Sequence, residues 1–333
     1  MKRSRLKLKV LFLALALAFY SLSLGTTTTL AHTTRQASGT GIGSGSPLAA
    51  NGKAHAYQID VAAITADKLS GKIHANPRHN NSLIPLANHS GNPPAYYYLD
   101  TSYADWILEP PSSGKDAKGY NYVDGLFGLF CGPGAATVSL DYWNNVNTRA
   151  VGLHAYSTPN TTTWWGDSNP GGLKDTAYLM YLATQVKPPS YVSPGMMTWA
   201  GNNTTTYLQD LVDAMNWESS NHSSTWQSKP FYLIVSNPTL SQLQTDVAID
   251  IYNNGIPPVV LVNDAYLPDW ANSPYKGHGH YVSIIGYNNS AGTFTYEETC
   301  GPATCGTSAY GQHTISQQQL LNGILNYGGS LVW

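Results

Sequence analysis

Apolar positions fall into a few clear runs whose spacing differs from one run to the next. After Cys131-Gly132-Pro133-Gly134, the residues Ala135, Ala136, Val138, Leu140 and Tyr142 follow without a breaker. This predicts a helix that begins at the cysteine and holds Pro133 in its first turn, where a missing N–H costs nothing. Leu240, Leu243, Val247 and Ile251 recur at steps of three and four, the period of one helix face, and Asn253-Asn254-Gly255 closes that helix. Pro257-Pro258 and the run from Val259 to Asn263 then read as a strand. From His280 to Tyr287 the chain is rich in β-formers, a turn follows at Asn288 to Gly292, and Thr293 to Glu297 resumes as a second strand. A helical part followed by antiparallel strands is an α+β arrangement.

The N-terminal third is organised differently. Lys2, Arg3, Arg5, Lys7 and Lys9 precede an apolar run from Val10 to Leu24, so residues 1–31 read as an export signal and the mature chain begins near His32. A spanning helix needs roughly 20 apolar residues, and Ser21 and Ser23 interrupt this run, so stable membrane insertion after cleavage is not expected. Residues 32–52 are rich in Gly, Ser and Thr and read as a flexible linker. Residues 53–95 are either an N-terminal extension or a pro-segment. From residue 96 to 333 the pattern is continuous, which predicts one domain.

Composition narrows the function. The export signal holds 5 of the 17 Lys and Arg and none of the 19 Asp and Glu, so the rest of the chain is net acidic. Without a basic cluster it lacks the charge that nucleic-acid binding requires. Only 11% of residues are charged, so the surface must be polar largely through amides and hydroxyls, which suits a secreted protein.

The three cysteines are more telling. Cys300 and Cys305 flank Gly-Pro-Ala-Thr and can close a short loop in an oxidising compartment, which leaves Cys131 unpaired. A thiol at a helix start sits where the dipole and the N–H groups favour negative charge, so Cys131 is a candidate nucleophile; a buried packing cysteine is the plainer alternative. His280 opens a strand after Gly277-His278-Gly279 and is the candidate base, with His278 and His313 as the rejected alternatives. His278 and His280 also form a His-x-His pair, but no cluster of carboxylates or cysteines completes a metal site, so neither metal nor cofactor is expected. Glu297 and Glu298 end the strand that returns beside His280. Glu298 is the candidate that orients the imidazole, Glu297 points to the other face, and an exposed strand-end carboxylate accounts for one of the two. Trp164, Trp165, Trp199, Trp217, Trp226 and Trp270 supply either a ligand platform or, more commonly, core packing.

Taken in order, Cys131-Gly132-Pro133-Gly134-Ala135-Ala136, the stretch from Ile251 to Val260, and Gly279-His280-Tyr281-Val282 with Ile284-Ile285-Gly286-Tyr287 resemble the bacteriocin-processing (double-glycine) peptidase-like branch of papain-fold cysteine peptidases. The resemblance spans about residues 120–333. It implies a papain-like fold, in which the helix carrying the nucleophile packs on an antiparallel sheet carrying the base. It also implies hydrolysis of peptide bonds through an acyl-enzyme on Cys131, with His280 as base and a peptide or protein as substrate. Two positions depart from the branch. Glu298 stands where an Asp is usual, and the oxyanion-stabilising Gln is missing from residues 120–130, leaving Asn121 as the nearest neutral side-chain donor. Those departures keep two alternatives open: a papain-fold binding protein with weakened catalysis, and an acyl transferase or cell-wall amidase using the same dyad.

Overall fold

A computed structural model describes residues 45–46, 61–70, 89, 91–99, 109, 114–115, 121–122, 130–146, 178–179, 181–191, 194–200, 203–220, 222–224, 226–227, 230–273, 276–300 and 310–333. The expected export signal, most of the expected linker, Trp164, Trp165 and Cys305 lie outside these residues. So do the side chains of Asn121 and Trp199. Among the described residues no helix is long and apolar enough to cross a membrane.

The described chain is α+β. Its main sheet has seven strands: β1 (Tyr96–Tyr98), β2 (Ile234–Ser236), β3 (Val259–Asn263), β4 (Gly279–Asn288), β5 (Thr293–Glu298), β6 (Gly311–Ser316) and β7 (Ser330–Val332). Their order is β6-β5-β4-β3-β7-β2, with β1 lying along the C-terminal half of β4, and every pairing is antiparallel. Among the helices that accompany it are α1 (Val61–Leu69), α2 (Cys131–Val146), α3 (Leu208–Ser219), α4 (Leu240–Ala248) and α5 (Gln317–Tyr327). A smaller sheet pairs Met197–Ala200 with Asn203–Tyr207, and Gly45–Ser46 adds to the latter strand in parallel.

Nearly all of β4 is buried, including Tyr281, Val282, Ile284, Ile285 and Tyr287. A strand covered on both faces has no polar face to keep wet, which is why its sequence reads as a continuous apolar run. Helix α2 covers one face, where Ser283 Oγ donates to the Ala135 carbonyl at 2.8 Å. Helix α5 covers the other side of the sheet, and Gly323 makes this approach possible: a Cβ there would lie 2.4 Å from the Val262 side chain. Each fully buried Val, Ile or Leu in this sandwich contributes about 1.5–3 kcal/mol relative to exposure. The buried hydroxyls of α2 are satisfied, since Thr137 Oγ1 donates to Pro133 O at 2.7 Å and Ser139 Oγ donates to Pro257 O at 2.7 Å. The second bond ties α2 to the entry of β3. Helix α4 runs on through a π-helical turn over Ile249–Asn254 and stops at Gly255, which takes φ 66°, the closure that its Asn-Asn-Gly sequence predicts.

One irregularity matters for the site. From the turn, Thr293 pairs with Asn288 and Thr295 with Gly286; past Thr295 the register shifts, so that Tyr296 pairs with Ile284 and Glu297 with Ser283. Ile285 is the extra residue of a β-bulge. Its carbonyl is not lost, because it accepts from Leu99 N–H at 2.9 Å.

Candidate active site

Cys131 is the first residue of α2, fully buried, with its thiol outside any disulfide. The glycines around Pro133 let this helix start in a crowded place. A Cβ on Gly132 would lie 2.6 Å from Thr206 Cβ, and one on Gly134 would lie 2.5 Å from Thr299 Oγ1. Neither neighbour can move far, because Thr206 and Thr299 are themselves buried. The small residues after the cysteine therefore have a steric cause: they let the helix start sit between the smaller sheet and the end of β5.

His280 is the second residue of β4 and is 2% exposed. Its Nε2 lies 2.8 Å from Glu298 Oε2 and 3.0 Å from Oε1, and the ring also shares a hydrogen bond with the Cys131 side chain. With Nε2 committed to the carboxylate, Nδ1 is the nitrogen left for the sulfur. Burial alone would pull the His280 pKa down, but Glu298 and Cys131 outweigh it and hold the imidazole well above its ordinary value, as an imidazolium. Glu298 responds in the opposite sense. Burial pushes its carboxyl up, while His280, the Trp270 indole and the Cys300 N–H bring it below the usual range.

Glu298 is fully buried and has donors at both oxygens. Oε2 accepts from Trp270 Nε1 at 2.8 Å, and Oε1 accepts from Cys300 N at 2.8 Å. The Trp270 ring also lies 4.7 Å from the His280 ring, tilted by 55°, so it closes one side of the pair while holding its carboxylate. A charged pair taken out of water keeps its value only when its remaining lone pairs are met in this way.

The bulge at Ile285 decides which carboxylate does this. Regular pairing from the turn would put Glu298 opposite Ser283, on the face away from His280. The one-residue shift moves the projected partner of Glu298 to Val282, which shares a face with His280. The longer Glu side chain reaches His280 from that diagonal position.

Glu297 does point to the other face, as expected, but no exposed strand-end carboxylate exists here: both glutamates are fully buried. The partner of Glu297 is Ser283, whose hydroxyl bonds Ala135, so Glu297 lies beneath α2.

The other histidines sit elsewhere. His278 is half-buried in the loop before β4, with its N–H donating to Asp264 Oδ1 at 3.0 Å. His313, on β6, lies with its ring 5.6 Å from Tyr296. Among the described residues no group of three or more His, Cys, Asp or Glu could hold a metal ion. Asn121 belongs to a two-residue strand paired with Gly114–Lys115, and its side chain is outside the described part.

The sequence marks Trp270 only as one of several tryptophans, and it does not mark Glu109 at all. Their roles depend on contacts across 28 and 190 residues, to Glu298 and Thr299 respectively, which no local pattern encodes. Trp226, like Trp270, is buried in the core. No family model matches the chain, and no curated protein matches it.

Proposed function

We propose that this chain is a secreted, thiol-dependent peptidase of papain-like fold. What carries the reading is the chain of contacts in which Cys131, at the start of a helix, bonds to His280, whose other nitrogen is held by a buried, fully hydrogen-bonded Glu298. The thiolate of Cys131 attacks the scissile carbonyl carbon and forms a tetrahedral intermediate. His280 then gives its proton to the leaving amine. A water, deprotonated by the now neutral imidazole, releases the acid and restores the ion pair. Main-chain N–H groups at the start of α2, with Asn121 as the candidate side-chain donor, stabilise the oxyanion.

The test is a mixed peptide library incubated with the purified mature protein, with new termini read by mass spectrometry. Cleavages that appear with the unaltered protein and vanish in Cys131→Ala are the expected result. No cleavage, or the same cleavage in both, defeats the reading. Iodoacetamide at neutral pH is expected to label Cys131 about 10-fold faster than a free cysteine peptide, since only a primed thiolate reacts so readily. An equal rate would favour a binding protein on the same fold.

The bridge between Cys300 and Cys305 is part of the proposal. It is supported by the short spacing of the two cysteines, which can close a loop, and by Cys131 standing outside any disulfide. Thiol counting after denaturation without reductant should find one thiol among the three cysteines; a count of three, or a peptide map linking Cys131 to another cysteine, would overturn it.

A further inference from the structure

The geometry points to Glu109 as a positioning residue for the His280–Glu298 pair: it fixes the residue that follows Glu298 and adds a second carboxylate that interacts with the imidazole. This rests on the peptidase reading above. Glu109 is 2% exposed. Its N–H donates to Thr299 O at 2.8 Å, and Thr299 Oγ1 donates back to Glu109 Oε1 at 2.8 Å. Thr299 is the single residue between Glu298 and Cys300, and the Cys300 N–H is one of the donors that hold Glu298. The Thr299 hydroxyl also packs where a Cβ of Gly134 would be, so the residue gripped by Glu109 touches the first turn of α2 as well.

Among the described residues Glu109 Oε2 has no hydrogen-bond partner. A buried carboxylate oxygen left without a donor is costly, so the role of a structural clamp, which needs only Oε1, does not account for it. What Glu109 does face is charge. Burial, the largest influence, pushes its carboxyl up to about 7; His280 favours the ionised form, and Glu298 opposes it. Around this trio, Cys131 at the start of α2 and Asp264 after β3 interact with His280, and Asp269, beside Trp270, interacts with Glu298. The coupling is reciprocal: if the imidazolium favours ionised Glu109, then ionised Glu109 favours the imidazolium. Removing that charge must lower the pH at which His280 loses its proton.

The test is an NMR titration of the His280 ring in the mature protein and in Glu109→Gln, which keeps an acceptor for Thr299 but no charge. The His280 midpoint should fall by about one pH unit in Glu109→Gln and be largely restored in Glu109→Asp. The alkaline limb of kcat/KM should move with it. A purely structural role would lower activity and leave the midpoint where it is, so an unchanged midpoint in a folded Glu109→Gln overturns the inference. Should that variant not fold, the Glu109 carboxyl and the His280 ring can be followed together in the unaltered protein. A His280 resonance that does not respond as Glu109 titrates is then the overturning result, and a coincident inflection supports it. An unaltered His280 midpoint near the ordinary 6.5 would remove the ion pair, and the peptidase reading with it. That outcome is distinct from a high midpoint that ignores Glu109.

Discussion

Glu298→Ala is expected to lower peptide turnover by about 10- to 1000-fold, the range bracketing what a positioned base and its orientation contribute. The carboxylate meets three groups, the His280 ring, the Trp270 indole and the Cys300 N–H, and alanine leaves all three unsatisfied in a buried site. The imidazole then loses both its tether and the charge that keeps it protonated beside Cys131. Glu298→Gln should cost less, because the amide oxygen still accepts from the ring while the charge is gone. Its signature is a His280 midpoint moved downward with the fold retained, checked by pH-rate profiles beside a thermal melt. Full activity in Glu298→Ala would show that another group orients the base. Glu297→Ala is a poor neutral control, since that side chain is buried beneath α2 and its loss is expected to act on stability.

The second large effect lies far from the site, at Lys68 on α1. The Lys68 ammonium is fully buried, 2.9 and 3.2 Å from the Asp250 carboxylate oxygens, and stands 3.9 Å from the Phe231 ring centroid and 4.5 Å from that of Trp333. Burial lowers its pKa and raises that of Asp250, each opposed by the partner's charge. Such a pair gives little net stability, but removing one member strands the other. Lys68→Met is therefore expected to cost about 3–5 kcal/mol, and Lys68→Met with Asp250→Asn should recover much of that loss. Denaturant midpoints of the single and double variants decide it; a single variant as stable as the parent would show that Asp250 is met by other groups. Asn253 strengthens the attachment by donating to the carbonyls of Leu69, His89 and Gly91. Residues 61–70 are thus seated in the domain.

How much of this is legible in the sequence depends on the range of the forces involved. The start of α2, the α4 periodicity and closure, and the strands β3, β4 and β5 are readable because caps, glycines and apolar spacing act within a few residues. The pairing of Cys131 with His280 is readable only as an expectation, from a helix start and a strand start of suitable chemistry. The choice between Glu297 and Glu298 is another matter. The sequence points to Glu298, but the register that puts it there depends on how Ile285 is accommodated, and nothing in Ile284-Ile285-Gly286 announces a bulge. Trp270 and Glu109 are invisible for the same reason: each acts through a partner distant in the chain. Lys68 is the extreme case, since a lysine late in a short helix reads as a solvated charge until Asp250 and two aromatic rings surround it.

The Ile285 bulge also bears on how such sites are sought by motif spacing. Deleting Ile285 would join Ile284 to Gly286 and leave the pairs Gly286–Thr295 and Ile284–Tyr296 in place, now within a regular ladder. His280 and Glu298 would keep their shared face, while their separation along the chain would drop by one from 18 residues. Chains that differ by one residue in this interval can therefore hold the same constellation, and a pattern search that fixes the interval discards those of the other length before any side chain is compared.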